Sequence, residues 1–343
     1  MAMELERFTA AVEIGRLNTA YAQSRLLHSA VEVGLFEFLA GGPATAAEVQ
    51  DRLALHPRLL RDFLDGLTAL DLLVRDGERY RNSPGTEQTL LPGSPYPLAS
   101  TVLAASAKHY SMWGRLTEAL RDGEPKAAGA VGQGAFLKLY QDPEAARRFL
   151  AHMDSAHTTV GAQLAHALDW TRYMSFIDVG GARGSVAAEV VDVHPHLRGG
   201  VFELPAVEPL FDEHMAHLKT SDRIFFHGGD FFRDPVPETD VVVLGHVLHD
   251  WSPEERVTLL KRVYPAVRPG GALVIYDQML DHEQPDLFSI LGSLNVALVT
   301  GGSEYTVAEC REWVTQAGFR VQSTERIRTA GNDLVLVAEK PRS

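Results

Sequence analysis

Two kinds of hydrophobic spacing divide the chain. From Glu4 to about Trp170, apolar residues recur mostly every three or four positions, which predicts helices. From Ser175 onward, short β-rich runs alternate with helical ones, the pattern of a parallel sheet covered by helices. In the first part, Val31, Leu35, Phe38 and Leu39 share one side of a helix over 28–39. Thr45-Ala46-Ala47-Glu48 predicts a helix start with a capping box. Pro57 opens another helix, with Leu60, Phe63, Leu64, Leu67 and Leu70 on one side. Runs at 72–74 and 79–81 about Asp76-Gly77 predict a β-hairpin. Three helices followed by a hairpin suggest a winged-helix arrangement. Helices continue from Tyr96 to about Trp170, interrupted by a Gly/Ala-rich loop over 123–134. The change of pattern places a helical domain at 1–170 and an α/β domain at 171–343.

In the second part, Ser175–Val179 and the runs 201–203, 224–226, 241–244 and 272–276 predict five parallel strands. Helices fit at 185–193, 208–217 and 253–267. Runs at 320–325 and 333–338, separated by Ala330-Gly331-Asn332, predict a terminal antiparallel hairpin. The result is a Rossmann-like sheet of unspecified strand order.

Composition narrows the function. Of 343 residues, 45% are hydrophobic and 22% charged, as in a soluble globular protein. Every apolar run breaks well before the ~20 residues of a membrane span, and Met1-Ala2-Met3-Glu4 lacks a secretion signal. No membrane partner and a cytoplasmic location are expected. The single Cys310 excludes an internal disulfide or a thiolate zinc cluster and reads as a passenger in a helix near a core. A net charge of −13 disfavours nucleic acid. The helix that would read DNA in a winged-helix protein carries Asp62, Asp65 and Asp71, which phosphate would repel. A dimerisation or substrate-covering role suits that domain better.

The first strand runs into Asp178-Val179-Gly180-Gly181-Ala182-Arg183-Gly184. A glycine-rich loop there lets the backbone approach a ligand at the next helix N-terminus. A dinucleotide fingerprint needs glycine at 180, 182 and 185, whereas the chain has Gly180, Ala182 and Ser185. Strand two ends in Glu203, 25 residues after Asp178, where a carboxylate can accept from both ribose hydroxyls of a nucleoside. Asp230-Phe231 offers a polar contact and an apolar wall for a base. His246 to Trp251 lies between the end of strand four and a helix opened by Ser252-Pro253-Glu254-Glu255.

These stretches resemble the class I S-adenosylmethionine-dependent O-methyltransferases, particularly the plant phenolic enzymes and their bacterial natural-product relatives. The matching stretches are 178–184, Phe202-Glu-Leu-Pro205, Gly229-Asp-Phe-Phe232, His246-Val-Leu-His-Asp-Trp251, Arg268-Pro-Gly-Gly271 and Gly301-Gly-Ser-Glu-Tyr-Thr306. The resemblance spans nearly the whole chain. It implies an α/β fold, a Rossmann-like class I methyltransferase sheet with a mainly helical, winged-helix-like N-terminal dimerisation domain. It also implies a homodimer using S-adenosyl-L-methionine, with S-adenosyl-L-homocysteine as product and no metal. Asp178, Gly180, Gly181, Glu203, Leu204, Gly229, Asp230, Phe231, Gly245 and His246 would line the cofactor site. The chain departs from the family at Ala182, commonly glycine, and at Gly245, a lysine in many plant members.

The resemblance further assigns His249 as general base, with Asp277 and Glu304 flanking it; Asp277 is shorter than the usual glutamate. A phenol has a pKa near 10 and imidazole near 6.5, so a largely neutral imidazole is expected to take the hydroxyl proton as oxygen attacks the methyl group. Asp250 braces the loop. Tyr110, Trp113, Phe136, Met153, His157, Asn295 and Leu298 are the expected walls for a small aromatic acceptor. A phenolic natural-product precursor is the expected substrate. A tyrosine-like amino acid, a cofactor-retaining hydroxylase or decarboxylase, and a winged-helix regulator are the alternatives.

Overall fold

A computed structural model describes residues 2–127, 132–329 and 331–342. Residues 128–131 of the Gly/Ala-rich loop and Ala330 of the terminal turn lie outside the described residues. The chain forms two compact units, Met1–Ala107 and Lys108–Ser343.

The first unit opens with the long helix Ala2–Glu32, followed by helices Leu35–Leu39, Ala46–Leu53 and Pro57–Ala69. The capping box is present: Thr45 Oγ1 accepts from Glu48 N, and Glu48 Oε2 accepts from Thr45 N at 2.6 Å. Strands β1 (Ala44–Thr45), β2 (Leu73–Asp76) and β3 (Arg79–Asn82) form a sheet in the order β1-β3-β2, completing the winged-helix-like arrangement. Its core buries Leu35, Phe36, Val49, Leu64, Leu67, Leu73 and Tyr80, the helical-stripe residues among them. Asp65 accepts from Tyr80 Oη at 2.7 Å and from Arg75 at 3.1 Å, so this carboxylate ties the helix to the wing.

The second unit holds a seven-stranded sheet: β4 (Ser175–Val179), β5 (Arg198–Glu203), β6 (Ile224–Gly228), β7 (Thr239–Gly245), β8 (Val267–Asp277), β9 (Arg320–Arg326) and β10 (Leu334–Glu339). Its order is β6-β5-β4-β7-β8-β10-β9. The first five are parallel, as expected. The terminal hairpin is antiparallel, with β10 inserted between β8 and β9. The central strands are buried on both faces, which is why they read as continuous apolar runs rather than alternating ones. The order of strand addition reverses between β4 and β7, the switch point where open α/β sheets bind ligands beyond their carboxyl ends.

Helices Gln133–Leu139, Pro143–Ala156 and Val160–Leu164 belong to this unit. Tyr140 and Leu150 bury against Val207 and Leu210, while Val160 and Leu164 join the cluster under helix Ser185–Val193. The periodicity therefore changes near residue 170, but the contacts divide after Ala107. Among the described residues, no helix is long and apolar enough to cross a membrane. Cys310 is fully buried in helix Val307–Gln316.

Candidate active site

The loop after β4 starts at the switch point. Gly180 N donates to Phe202 O at 2.8 Å, and Gly181 O accepts from Gly184 N at 2.9 Å. Ala182 takes the left-handed φ of 51° that glycine would adopt freely, and it packs against the buried cluster that holds Tyr140, Leu150 and Val207. The helix Pro143–Ala156 latches this loop, because Asp154 accepts from Arg183 and, at 2.5 Å, from Ser185 Oγ. Nothing in the local pattern marked Asp154 for that task.

Glu203 closes β5 as a buried carboxylate, with one oxygen accepting from Leu204 N at 2.7 Å. Gly229 N donates to Glu203 O at 2.9 Å, setting the neighbouring strand end beside it. Burial raises the Glu203 carboxyl to about 7, and burial with the charge of Glu203 raises Asp178 equally. No cationic side chain pairs with either among the described residues. Two buried acceptors without a cation fit a ligand bearing hydroxyl or ammonium donors, as a ribose and a methionine moiety do. Asp230 accepts from Gln133 Nε2 at 2.5 Å and from Phe232 N at 2.9 Å, while Phe231, Phe232 and Trp251 stack edge-on. Gly245 has no room for a side chain: a Cβ there would lie 1.8 Å from Cζ of Tyr276. The Tyr276 ring thus occupies the space into which a lysine at 245 would begin.

The acid–base cluster gathers beyond β7 and β8. His249 Nδ1 lies 2.7 Å from Glu304 Oε1 and 3.2 Å from Asp277 Oδ1, with both carboxylates fully buried. Carboxylates only accept, so Nδ1 is the donor and Nε2 is left without a carboxylate partner. Asp277 Oδ2 accepts from Tyr305 Oη at 2.5 Å, and Glu304 Oε2 from Met279 N at 3.2 Å. The shorter Asp277 side chain therefore stands at ion-pair distance from His249. Although burial opposes it, the charges of Asp277 and Glu304 push the His249 imidazole up to about 10. The imidazole is thus charged at pH 7 in the ligand-free site, unlike the neutral ring expected from its ordinary value. His246 sits in the same cluster. Its ring nitrogens face Asp333 Oδ1 at 3.0 Å and Asp277 Oδ1 at 3.9 Å, so its side chain is taken up there.

Two local features bring Glu304 to His249. At Gly302, a Cβ would fall 2.0 Å from His249 O, so only glycine lets the 301–304 loop lie on the His249 backbone. Ser303 N then donates to His249 O at 2.8 Å. Arg256, buried in helix Pro253–Val263, donates to Leu248 O at 2.9 Å and Ser303 O at 2.6 Å. No motif singles it out in the sequence, yet it shares one helix side with Leu259, Leu260 and Val263, where a charge on a buried stripe is the available signal.

Of the expected acceptor walls, Trp113 Nε1 donates to Asn295 Oδ1 at 3.2 Å, Phe136 stacks near Trp251 at 6.1 Å, and His157 lies over His246 at 4.6 Å. Leu298 is buried and Met153 half-buried, while Tyr110 is the most exposed. A separate cavity of about 310 Å³, lined by Met279, Ile290, Ser293, Leu294 and Arg326 among others, contains none of these seven residues.

Residues 113–320 match the O-methyltransferase domain and residues 16–90 the O-methyltransferase dimerisation domain. The chain belongs to the O-methyltransferase family of class I S-adenosylmethionine-dependent enzymes. It is a methyltransferase that uses S-adenosyl-L-methionine and releases S-adenosyl-L-homocysteine. The N,N-dimethyltransferase OxyT of Streptomyces rimosus is 48% identical over 95% of each chain. The tetracenomycin polyketide synthesis 8-O-methyl transferase TcmO of Streptomyces glaucescens is 46% identical over 96% of this chain and 97% of its own. The solved structure of human N-acetylserotonin methyltransferase with SAM superposes with a TM-score of 0.88 at 27% identity, covering 97% of this chain and 98% of that one.

Proposed function

We propose that the enzyme methylates a phenolic hydroxyl of an aromatic polyketide-type precursor, with His249 as general base. The observation that carries this is the hold on His249 Nδ1 by Glu304 and Asp277, which leaves Nε2, in the deprotonated ring, to take a proton. When bound, S-adenosyl-L-methionine supplies a methyl group on positively charged sulfur; the acceptor oxygen takes it and the carbon–sulfur electron pair returns to sulfur. Asp178, Gly180, Gly181 and the Glu203-Leu204 strand end hold the donor's polar parts, Gly229, Asp230 and Phe231 its base, and the backbone of Gly245 and His246 borders it. Trp113, Phe136, His157 and Asn295 flank the acceptor, with Tyr110, Met153 and Leu298 behind them.

Proton transfer is closely matched. A phenol near pKa 10 meets an imidazole whose own value is about 10, so the proton moves between groups of similar strength. A nearby sulfonium then disfavours the protonated ring, while Asp277 and Glu304 stabilise it once the proton arrives. The likeness to TcmO, a polyketide synthesis 8-O-methyl transferase, supports a hydroxyl group on a polyketide, and the likeness to an N,N-dimethyltransferase favours an amine as second reading.

Helix Ala2–Glu32 exposes Ile14, Leu17 and Tyr21, three large apolar residues at spacings of three and four. Together with the matched dimerisation domain they support a homodimer.

The test is mass spectrometry of the enzyme with S-adenosyl-L-methionine and a panel of polycyclic phenols, aromatic amines and hydroxylated amino acids. An O-methylated phenol formed one-to-one with S-adenosyl-L-homocysteine is expected. Exclusive N-methylation, or a His249→Gln enzyme turning over like the wild type, overturns the reading; the expected loss is on the order of 10²–10⁴-fold.

A further inference from the structure

We propose that Asp333 and the side chain of His246 form a second carboxylate–imidazole pair, which faces Asp277 and keeps it in place for His249. Both are then positioning residues for methyl transfer. The inference rests on the reading of His249 as base.

The geometry begins at the backbone. His246 follows β7 with a left-handed φ of 51°, uncommon outside glycine, and its N–H donates to Tyr276 O at 2.9 Å. This turn sets the ring among the acidic groups. Nε2 stands 3.0 Å from Asp333 Oδ1, and Nδ1 stands 3.9 Å from the Asp277 oxygen that His249 approaches at 3.2 Å. Asp277 therefore lies between two imidazoles, each backed by its own carboxylate, Glu304 for His249 and Asp333 for His246.

Asp333 needs this partner. It is 1% exposed, its Oδ2 accepts from Thr329, and among the described residues no Lys or Arg pairs with it. Neither Asp333 Oδ1 nor His246 Nε2 makes a well-directed hydrogen bond, so their approach is held by charge rather than by a linear bond. An ionised carboxylate buried that deeply is costly without a cation. Although burial opposes it, the charge of His246 holds Asp333 down to about 2, and Asp333 in turn raises His246.

Two further groups facing His246 are uncharged and one is a cation. The His157 ring lies over it at 4.6 Å and is kept neutral by burial and by the charge of His246. Tyr276 is 5.5 Å away, and burial keeps its phenol protonated. His249, 5.3 Å away, is the one neighbouring cation, with Asp277 between them. If His246 were neutral, Asp277 and Glu304 would share a single imidazolium in a buried site. Burial has already raised Asp277 to about 7 against the opposing charges of His249 and His246, so losing the charge of His246 would raise it further. His249 would lose one of its two holds.

The experiment is a double-mutant cycle of Asp333→Asn and His246→Gln, read as kcat, acceptor KM and donor affinity by calorimetry. Each single variant is expected to lower kcat about tenfold or more, a misplaced base being sufficient for that. In Asp333→Asn, acceptor KM and donor affinity should move less than about twofold, and the double variant should be no worse in kcat than the poorer single one. Histidine NMR should show the wild-type His246 titrating above 6.5 and moving down in Asp333→Asn. Additive losses, an unchanged kcat, a loss that tracks donor affinity, or a wild-type His246 titrating below 6.5 overturns the inference. The wild-type titration needs no variant to fold. The fate of His249→Gln separately decides the reading beneath it.

Discussion

Glu304 Oε1 lies 2.7 Å from His249 Nδ1, across 55 residues of sequence. Asp277 adds a second carboxylate at 3.2 Å, and both charges stabilise the protonated imidazole. The pH dependence of catalysis follows directly. A general base works only when deprotonated, and a raised value of about 10 means that the working form grows as pH rises through the neutral range. With saturating donor, and an acceptor whose hydroxyl does not titrate there, kcat/KM should climb up to about tenfold per pH unit above neutrality. Glu304→Gln removes one negative charge, so the rise should shift to lower pH while the plateau falls. A wild-type limb at the ordinary imidazole value, or an upward shift in Glu304→Gln, would count against His249 as the base.

Glu203 and Asp178 predict a second pH effect of different origin. Both carboxyls are raised to about 7 by burial, so the folded, ligand-free enzyme retains protons that the unfolded chain has lost. That protonation favours the fold below the ordinary carboxylate range, and the advantage is lost as pH rises through about 7. Ribose hydroxyls donate best to the ionised form, so donor affinity should rise across the same interval and binding should release protons. Calorimetry in two buffers of different ionisation enthalpy measures this. Glu203→Gln should weaken binding and reduce the release; proton uptake on binding would contradict the assignment.

Much of this was legible because it depends on local pattern. The five parallel strands announced themselves as short apolar runs, and the Thr45 and Ser252 capping boxes fixed two helix starts. The order β6-β5-β4-β7-β8-β10-β9 was not legible, since strand pairing is a long-range choice. Glu304 and His249 were named through family resemblance, but Asp333 had no such signal. It joins the cluster only because β10 inserts beside β8, bringing the start of the last strand next to the end of β7. The charged state of His249 was hidden for the same reason: it depends on the distances to Asp277 and Glu304.

Gly302 offers a purely steric test. A methyl group there would sit 2.0 Å from His249 O and 2.8 Å from the Asp250 backbone, well inside any permitted contact. Gly302→Ala should push the 301–304 loop away and carry Glu304 from His249. A displacement of about 1 Å is enough for a loss on the order of 100-fold in kcat. The proposed donor site does not use the 301–304 loop, so donor binding should be unchanged by calorimetry. Wild-type kcat in this variant would show that the loop does not position the base.

Arg256 predicts a coupled loss of stability and rate. Its guanidinium donates to Leu248 O and Ser303 O, the residues immediately before the base and before its orienting glutamate. It is 2% exposed and packs against the Tyr305 ring at 4.8 Å and the Trp313 ring at 5.1 Å, so an aromatic pair holds it in place. One planar group therefore sets the distance between two loops that otherwise meet through backbone contacts. Arg256→Lys keeps the charge but not the fork, and a single ammonium is poorly shaped to reach both carbonyls. Arg256→Met leaves both without their charged donor, a loss of about 2–6 kcal/mol at roughly 1–3 kcal/mol per buried unsatisfied group. In a unit of this size that corresponds to a melting-temperature drop of roughly 4–24 °C. The rate separates positioning from general weakening. Measured well below the melting temperature, both variants should still bind donor but lose kcat, with the lysine enzyme intermediate. If Arg256→Lys melts lower yet turns over at the wild-type rate, the guanidinium supports the fold alone and the two loops find their spacing without it.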